Sequence, residues 1–164
     1  VLAAITSHPG PLQGCDTLSL GALRYRATAS PSFMSRWFAQ GFREETLASA
    51  PTLTFSEKDQ LQTRWATARG LRRPVLSTHR IASSHAFVEA CVQGLAWGVN
   101  PEPLVAHHLA DGTLVELLPD TSLDVDLYWQ FTRLAAPALK PLTEAVSKAA
   151  AATLVARASQ PRPR

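Results

Sequence analysis

The chain has 164 residues, of which 46% are hydrophobic and 18% charged. This composition excludes a disordered, collagen-like or coiled-coil protein and suffices for one domain or two small lobes. The net charge is +3, but Arg157, Arg162 and Arg164 stand in the last eight residues, and without them 13 basic residues balance 13 acidic ones, which argues against a basic nucleic-acid-binding face.

Hydrophobic periodicity predicts strands and helices that alternate along the chain. The predicted strands are residues 1–5, 18–29, 52–55, 75–81, 95–99, 113–118 and 124–132. The predicted helices lie within residues 31–41, 44–49, 56–70, 84–94, 101–112 and 137–156. Ser30 is a predicted N-cap of the first helix, and residues 56–59, Ser-Glu-Lys-Asp, resemble a capping box at the start of the third. The apolar run at 1–5 predicts a strand that is buried on both faces, and the alternation predicts an α/β fold with mostly parallel strands.

Cys15 and Cys91 stand far apart, without a CxxC pair or a zinc-ligand spacing. This pattern argues against a disulfide scaffold and favours a reducing, cytoplasmic environment. No apolar run approaches the ~18 residues that a membrane helix needs, so we expect no membrane partner. Because the chain starts with Val1, inside an apolar run, we also expect that an N-terminal part of a longer protein precedes it.

Sequence motifs for enzymatic chemistry are missing. There is no G-x-S-x-G nucleophile turn, and the nearest cluster is Ser83-Ser84-His85. His107 and His108 are adjacent rather than four residues apart, and no glycine-rich phosphate loop occurs. The sequence therefore predicts no catalytic residues, no metal site and no cofactor, and it does not predict an enzyme.

Two groups of polar residues have a spacing that suits a charged ligand. Ser83 and Ser84 precede a predicted helix, whose free N–H groups and dipole favour an anion such as a carboxylate. Helix capping alone would also account for one of these hydroxyls. Asp124 and Asp126 share one face of a predicted strand and form a possible seat for a cation, although exposed strand-end carboxylates are the commoner case.

The order of several segments resembles that of LysR-type transcriptional regulators. Residues 83–101, SSHAFVEACVQGLAWGVNP, resemble the helix, glycine turn and short strand ending in proline of that family, and residues 109–117, LADGTLVEL, resemble the segment that follows. Residues 20–31 and 127–130 resemble the ArgP, IciA or LysG branch, which senses basic amino acids and controls their export. The resemblance covers residues 1–154.

The resemblance implies an effector-binding domain of the periplasmic-binding-protein type II, with two α/β lobes and the effector between them. Residues 1–23 and 120–156 would form one lobe, incomplete here because its opening elements would precede Val1. Residues 24–119 would form the other lobe, and residues 157–164 would be a disordered basic tail. The family's winged helix-turn-helix and linker helix are not in this sequence, so the homo-oligomer and its DNA contacts would depend on that missing N-terminal part.

The resemblance also implies a small-molecule effector, a basic amino acid such as lysine or arginine. The two serines would hold its carboxylate, one of the two aspartates would hold a cation, and a polar turn after the first strand would contribute from the other lobe. The predicted effector-binding residues are Thr6, Ser7, His8, Ser83, Ser84, Asp124 and Asp126. A solute-binding receptor of the same fold without a DNA role stays open as an alternative, which a signal peptide upstream would favour.

Overall fold

The structure is a computed structural model that describes residues 1–10, 12–72 and 74–156. The chain divides into two compact units, of which the smaller joins Val1–Arg24 to Asp124–Arg164 and the larger is Tyr25–Leu123. The expected basic tail, residues 157–164, lies outside the described residues. In chain order the elements are β1 Ala3–Thr6, β2 Cys15–Ala29, α1 Pro31–Trp37, α2 Glu44–Ser49, β3 Pro51–Thr54, α3 Leu61–Ala68, β4 Ser77–Arg80, α4 Ser84–Val92, β5 Gly98–Pro101, α5 Glu102–Asp111, β6 Val115–Glu116, β7 Leu123–Thr132 and α6 Ala136–Thr153.

In the smaller unit, β7 lies between β1 and β2. β1 runs antiparallel to β7, and Trp129 on β7 donates from Nε1 to Thr143 Oγ1 of α6 at 3.0 Å. After α6, Val155 exchanges two backbone hydrogen bonds of 2.9 Å with Ala22. Gly21 permits this approach, because it has a φ of +110° and a Cβ there would lie 2.8 Å from the Val155 carbonyl oxygen. The segment directly after α6 is thereby fixed to β2.

The apolar first strand is not buried as the sequence predicts. β1 pairs with β7 on one side, and no second strand pairs with it among the described residues. The residues Leu2 and Ile5 are 64% and 56% exposed. Apolar runs predict burial only where another layer covers both faces of the strand, and no such layer covers β1 in the described part of the chain.

In the larger unit, β3 and β4 form a parallel pair, and Trp97, just before β5, bridges to Thr52 of β3, also in parallel. β2 runs antiparallel to both β5 and β6. The expectation of mostly parallel strands is therefore wrong for the pairings described. Helix crossovers account for the parallel pairing of β3 with β4 and of Thr52 with Trp97, but β1 runs antiparallel to β7, and β5 and β6 run antiparallel to β2. The α/β fold class itself is confirmed.

Helix ends follow the sequence at two positions and differ at a third. Ser30 caps α1 and Ser83 caps α4, each accepting a hydrogen bond from the backbone N–H three residues ahead. The capping box expected at residues 56–59 is absent, because α3 begins only at Leu61. Asp59 instead accepts hydrogen bonds from the backbone N–H groups of Phe55 and Leu61, at 2.8 and 3.0 Å. The Asp59 carboxylate thus stabilises the turn between β3 and α3.

Aromatic side chains dominate the core of the larger unit. Trp65 on α3 and Trp97 before β5 are fully buried, with ring centroids 5.5 Å apart. Phe87 of α4 packs against Gly98, the first residue of β5. A Cβ atom added at Gly98 would come within 2.3 Å of the phenyl ring. A side chain at position 98 would therefore push α4 away from β5.

We predict that Gly98→Ala destabilises the fold by about 1 to 3 kcal/mol, because the added methyl overpacks a site next to a buried ring. The free energy of unfolding in urea measures this change. Gly10→Ala is the matched control, since a Cβ at Gly10 has no neighbour within 4 Å. Equal stability of the two variants would contradict the close packing of α4 on β5.

Candidate functional site

The larger unit contains a recess of about 380 Å³. It opens where β3 and β5 end and where α4 begins, which is the edge at which open α/β sheets collect ligands. The side chains that line it are one aspartate, one lysine, two serines, one tyrosine, one asparagine and five apolar residues. The lining residues are Tyr25, Phe55, Ser56, Lys58, Asp59, Leu61, Ser84, Phe87, Val99, Asn100 and Pro101.

One side of the recess is the N-terminus of α4. Ser83 Oγ accepts a hydrogen bond from the Ala86 N–H at 3.4 Å, so this hydroxyl serves as the helix cap. Ser84 lines the recess and is exposed. The first N–H groups of a helix lack intrahelical partners, and together with the dipole they favour a negative charge. This side therefore suits the carboxylate of a ligand.

A second side presents the carboxylate of Asp59. Its two hydrogen bonds from backbone N–H groups fix its orientation and leave further lone pairs for a ligand. No cationic side chain forms a salt bridge with Asp59 in the part of the chain that the structure describes, although the exposed Lys58 also borders the recess. Burial, and to a lesser extent the charge of Asp59, raises the pKa of Tyr25, so the phenol keeps its proton at neutral pH.

The floor of the recess includes a buried amide, Asn100, which is only 1% exposed. Its Nδ2 donates to Thr28 Oγ1 at 3.0 Å, to the Gly98 carbonyl oxygen at 3.4 Å and to Cys91 Sγ at 3.6 Å. These contacts tie β5 to β2 and to α4. The amide group is thereby fixed in one orientation at the bottom of the recess.

This combination of groups matches a small zwitterion with an additional positive charge. The helix N-terminus is complementary to an anion, Asp59 is complementary to a cation, and Phe87 and Val99 offer apolar contact to an aliphatic chain. Within residues 1–10, 12–72 and 74–156, no group of three or more His, Cys, Asp and Glu side chains is arranged to hold a metal ion. None of the helices described is both long and apolar enough to cross a membrane.

Of the residues predicted from sequence, only Ser84 lines this recess, with Ser83 beside it. Asp124 and Asp126 lie on β7 in the smaller unit. The Asp124 carboxylate accepts hydrogen bonds from Arg24 Nε and Nη2 at 2.9 and 3.0 Å. Its side chain is 18% exposed, whereas Asp126 is exposed. The two carboxylates share a strand face, and the first of them is already engaged in a bidentate ion pair.

Thr6, the last residue of β1, forms one polar turn with Ser7 and His8 in the smaller unit. Thr6 Oγ1 accepts a hydrogen bond from the His8 N–H at 3.1 Å, and Ser7 Oγ lies 3.4 Å from His8 Nδ1. Gln130 Nε2 donates to the carbonyl oxygens of His8 and Gly10 at 3.2 and 2.8 Å, which anchors the turn to β7. The structure brings these three residues together within their own unit.

Sequence reasoning missed Asp59, Asn100 and Tyr25. The pattern around Asp59 resembled a capping box, yet the polar turn after the strand predicted at 52–55 was a usable signal for a ligand site. Asn100 is the second-to-last residue of a segment that carries the family resemblance, but a single asparagine before a proline gives no sign of burial. Tyr25 alternates with arginines on β2 and resembled an ordinary core residue.

The α/β fold and the recess define a small-molecule-binding domain. The profile described as the LysR substrate binding domain matches residues 3–151. The structure superposes with a TM-score of 0.93 on the C-terminal domains of a LysR family protein from Agrobacterium tumefaciens, at 51% identity, covering 96% of this chain and 76% of that one. The chain therefore belongs to the LysR substrate-binding domain family, and the resemblance seen in the sequence is confirmed.

Two further relatives belong to the branch named in the sequence analysis. The HTH-type transcriptional regulator ArgP of Pseudomonas fluorescens Pf-5 is 41% identical over 155 residues, which are 94% of this chain and 52% of that regulator. Full-length LysG from Corynebacterium glutamicum with bound effector Arg has a TM-score of 0.81 and 34% identity, over 95% of this chain and 52% of LysG. The chain thus spans about half the length of these regulators.

We predict that Cys91 does not react with thiol reagents while the chain is folded. Burial raises the pKa of its thiol to about 12, despite the opposing hydrogen bond from Asn100. At pH 8 only about one such thiol in ten thousand is ionised, and the thiolate is the reactive form. Ellman's reagent added to a Cys15→Ser variant should give no fast signal until urea unfolds it. Rapid reaction of the folded variant would contradict the burial of α4 against β5.

Proposed function

We propose that this LysR-family effector-binding domain senses a basic amino acid in the recess of the larger unit. One observation carries the proposal. The N-terminus of α4 and the carboxylate of Asp59 border the same recess. Among the described residues, no cationic side chain forms a salt bridge with Asp59. The carboxylate of the amino acid would lie at the N-terminus of α4, close to Ser84. A positively charged group would lie against Asp59, where a charge-assisted hydrogen bond in a partly enclosed site is stronger than in water.

The residues predicted in the smaller unit remain part of the proposal. Thr6, Ser7 and His8 present hydroxyl and imidazole groups at the end of a strand, and Asp126 presents an exposed carboxylate. Asp124 contributes less directly, because its carboxylate already receives two hydrogen bonds from Arg24. We propose that these residues also bind the effector, as the resemblance to the family implies.

The comparisons support the choice of effector and of protein class. LysG, at 34% identity, binds arginine as its effector, and the curated relatives are named as HTH-type transcriptional regulators. We propose that the whole protein is a cytoplasmic, homo-oligomeric regulator that contacts DNA through an N-terminal winged helix-turn-helix and controls basic amino-acid export. The solute-binding receptor without a DNA role is less well supported, because these relatives are regulators. Effector binding changes DNA contact only if the effector has unequal affinity for two states of the protein.

Calorimetry with arginine, lysine and citrulline tests the proposal. Citrulline has nearly the shape of arginine but lacks the positive charge of the side chain. We therefore expect the chain to bind arginine or lysine, and to bind citrulline at least tenfold more weakly. Asp59→Asn should weaken the cationic ligand roughly 10- to 100-fold, because a hydrogen bond to a charged group contributes about 1.5 to 3 kcal/mol. Glu57→Gln is the matched control, since Glu57 is an exposed neighbour whose described ion pair is with Arg80. Equal binding of all three ligands would refute a basic amino acid as the effector.

The aspartates of β7 give a separate prediction. Asp126→Asn should weaken binding of the basic amino acid, because it removes a negative charge from the proposed site. Asp124→Asn should lower the melting temperature as well, since Arg24 loses a charged bidentate partner that is partly buried. Calorimetry and thermal melting of both variants separate the two effects. Unchanged affinity in both variants would remove these residues from the proposed site.

A further inference from the structure

The buried amide of Asn100 has one polar atom that the fold leaves without a partner. Nδ2 makes all three hydrogen bonds of this side chain, and among the described residues no donor reaches Oδ1. The side chain lines the recess, although it is only 1% exposed. Oδ1 is not one of the fully buried side-chain atoms that lack a partner, so it is accessible from the recess, where water or a ligand can donate a hydrogen bond to it.

The orientation of the amide is set by its neighbours. The Gly98 carbonyl oxygen can only accept a hydrogen bond, and Nδ2 is the atom of Asn100 that reaches it. The same nitrogen faces Thr28 Oγ1 and Cys91 Sγ. Rotating the amide by half a turn would place Oδ1 against the Gly98 oxygen. The acceptor oxygen is therefore held toward the recess by three elements, β2, β5 and α4.

We propose that Asn100 Oδ1 accepts a hydrogen bond from a protonated amine of the effector and makes the recess select ligands that carry this amine. The inference rests on the proposed function and adds a specificity-determining residue to it. A cationic donor fits better than a neutral one, because the recess also contains the Asp59 carboxylate, and two acceptors in one recess favour positive charge. A site that buries an acceptor rejects ligands without the matching donor, because the acceptor then stays unpaired.

A purely structural role for Asn100 makes a different prediction. If the amide only ties β5 to β2 and α4, its removal should lower stability and weaken every ligand by a similar factor. If Oδ1 binds an amine, its removal should weaken only the ligands that carry that amine. The ratio of affinities between matched ligands therefore separates the two roles, whereas affinity for one ligand does not.

The experiment is calorimetry of the wild-type chain and of Asn100→Ala with lysine, 6-aminohexanoate and norleucine. 6-Aminohexanoate lacks the α-amine of lysine, and norleucine lacks the ε-amine. We expect Asn100→Ala to weaken lysine roughly 10- to 100-fold, and to weaken to the same extent the analogue that keeps the contacted amine. The analogue without that amine should bind as it does to the wild type, and this identifies which amine is contacted.

Gln62→Ala is the matched control. Gln62 is a buried amide on α3, 1% exposed, whose side-chain nitrogen and oxygen have no hydrogen-bond partner and which does not line the recess. It should leave all three affinities unchanged. If Asn100→Ala does not fold, Asn100→Asp serves instead, because it keeps an acceptor oxygen and adds charge. It should increase the preference for lysine over the analogue without the contacted amine, and a lower or equal preference would overturn the inference.

The outcomes are distinguishable from those of the proposed function. Equal weakening of all three ligands in Asn100→Ala, or no change in any of them, would overturn the role of Oδ1 while leaving the recess as the effector site. A wild-type chain that binds none of the three ligands would overturn the proposed function and this inference together.

Discussion

The contact between α4 and β5 is the constraint on which the candidate site depends. Phe87 of α4 lies directly on Gly98 of β5, and Cys91 of the same helix lies beside Asn100 of the same strand. Because helix and strand are held together at two points, the N-terminus of α4 and the end of β5 keep fixed positions around the recess. Preorganised donors and acceptors of this kind bind a ligand without first being ordered, which lowers the entropic cost of binding.

Asp59 differs from the charged side chains that form ion pairs elsewhere in the two units. Arg26 donates to Glu102 and Glu116 within the larger unit, and Arg24 donates to Asp124 within the smaller one. These partly buried charges are neutralised by the fold itself, as burial in a low-dielectric interior requires. Asp59 instead receives two backbone N–H groups and faces the recess. With a nearly neutral body, attraction of a cationic ligand depends on this local charge rather than on a long-range field.

The sequence predicts the helices, their capping serines and the α/β class well, because these depend on residues close together in the chain. The sequence predicts the pairing of the strands less well. The alternation of strands and helices suggests parallel strands, but the partners of β2 are chosen by contacts 70 to 90 residues away. The same limit applies to the site. Ser84 is visible as a helix start, whereas Asn100 becomes significant only once Thr28, Cys91 and Gly98 surround it.

The core and the polar lining of the recess consist of different residues, which explains how one fold can recognise different effectors. Trp65 and Trp97, two large side chains in the core of the larger unit, do not line the recess. The polar groups that face a ligand stand at the ends of elements, on the turn after β3, at the start of α4 and at the end of β5. Substitutions there alter the charge and hydrogen-bonding pattern of the recess with little effect on core packing. In this chain, a helix N-terminus and a carboxylate at such positions suit the cationic amino acid that we propose as the effector.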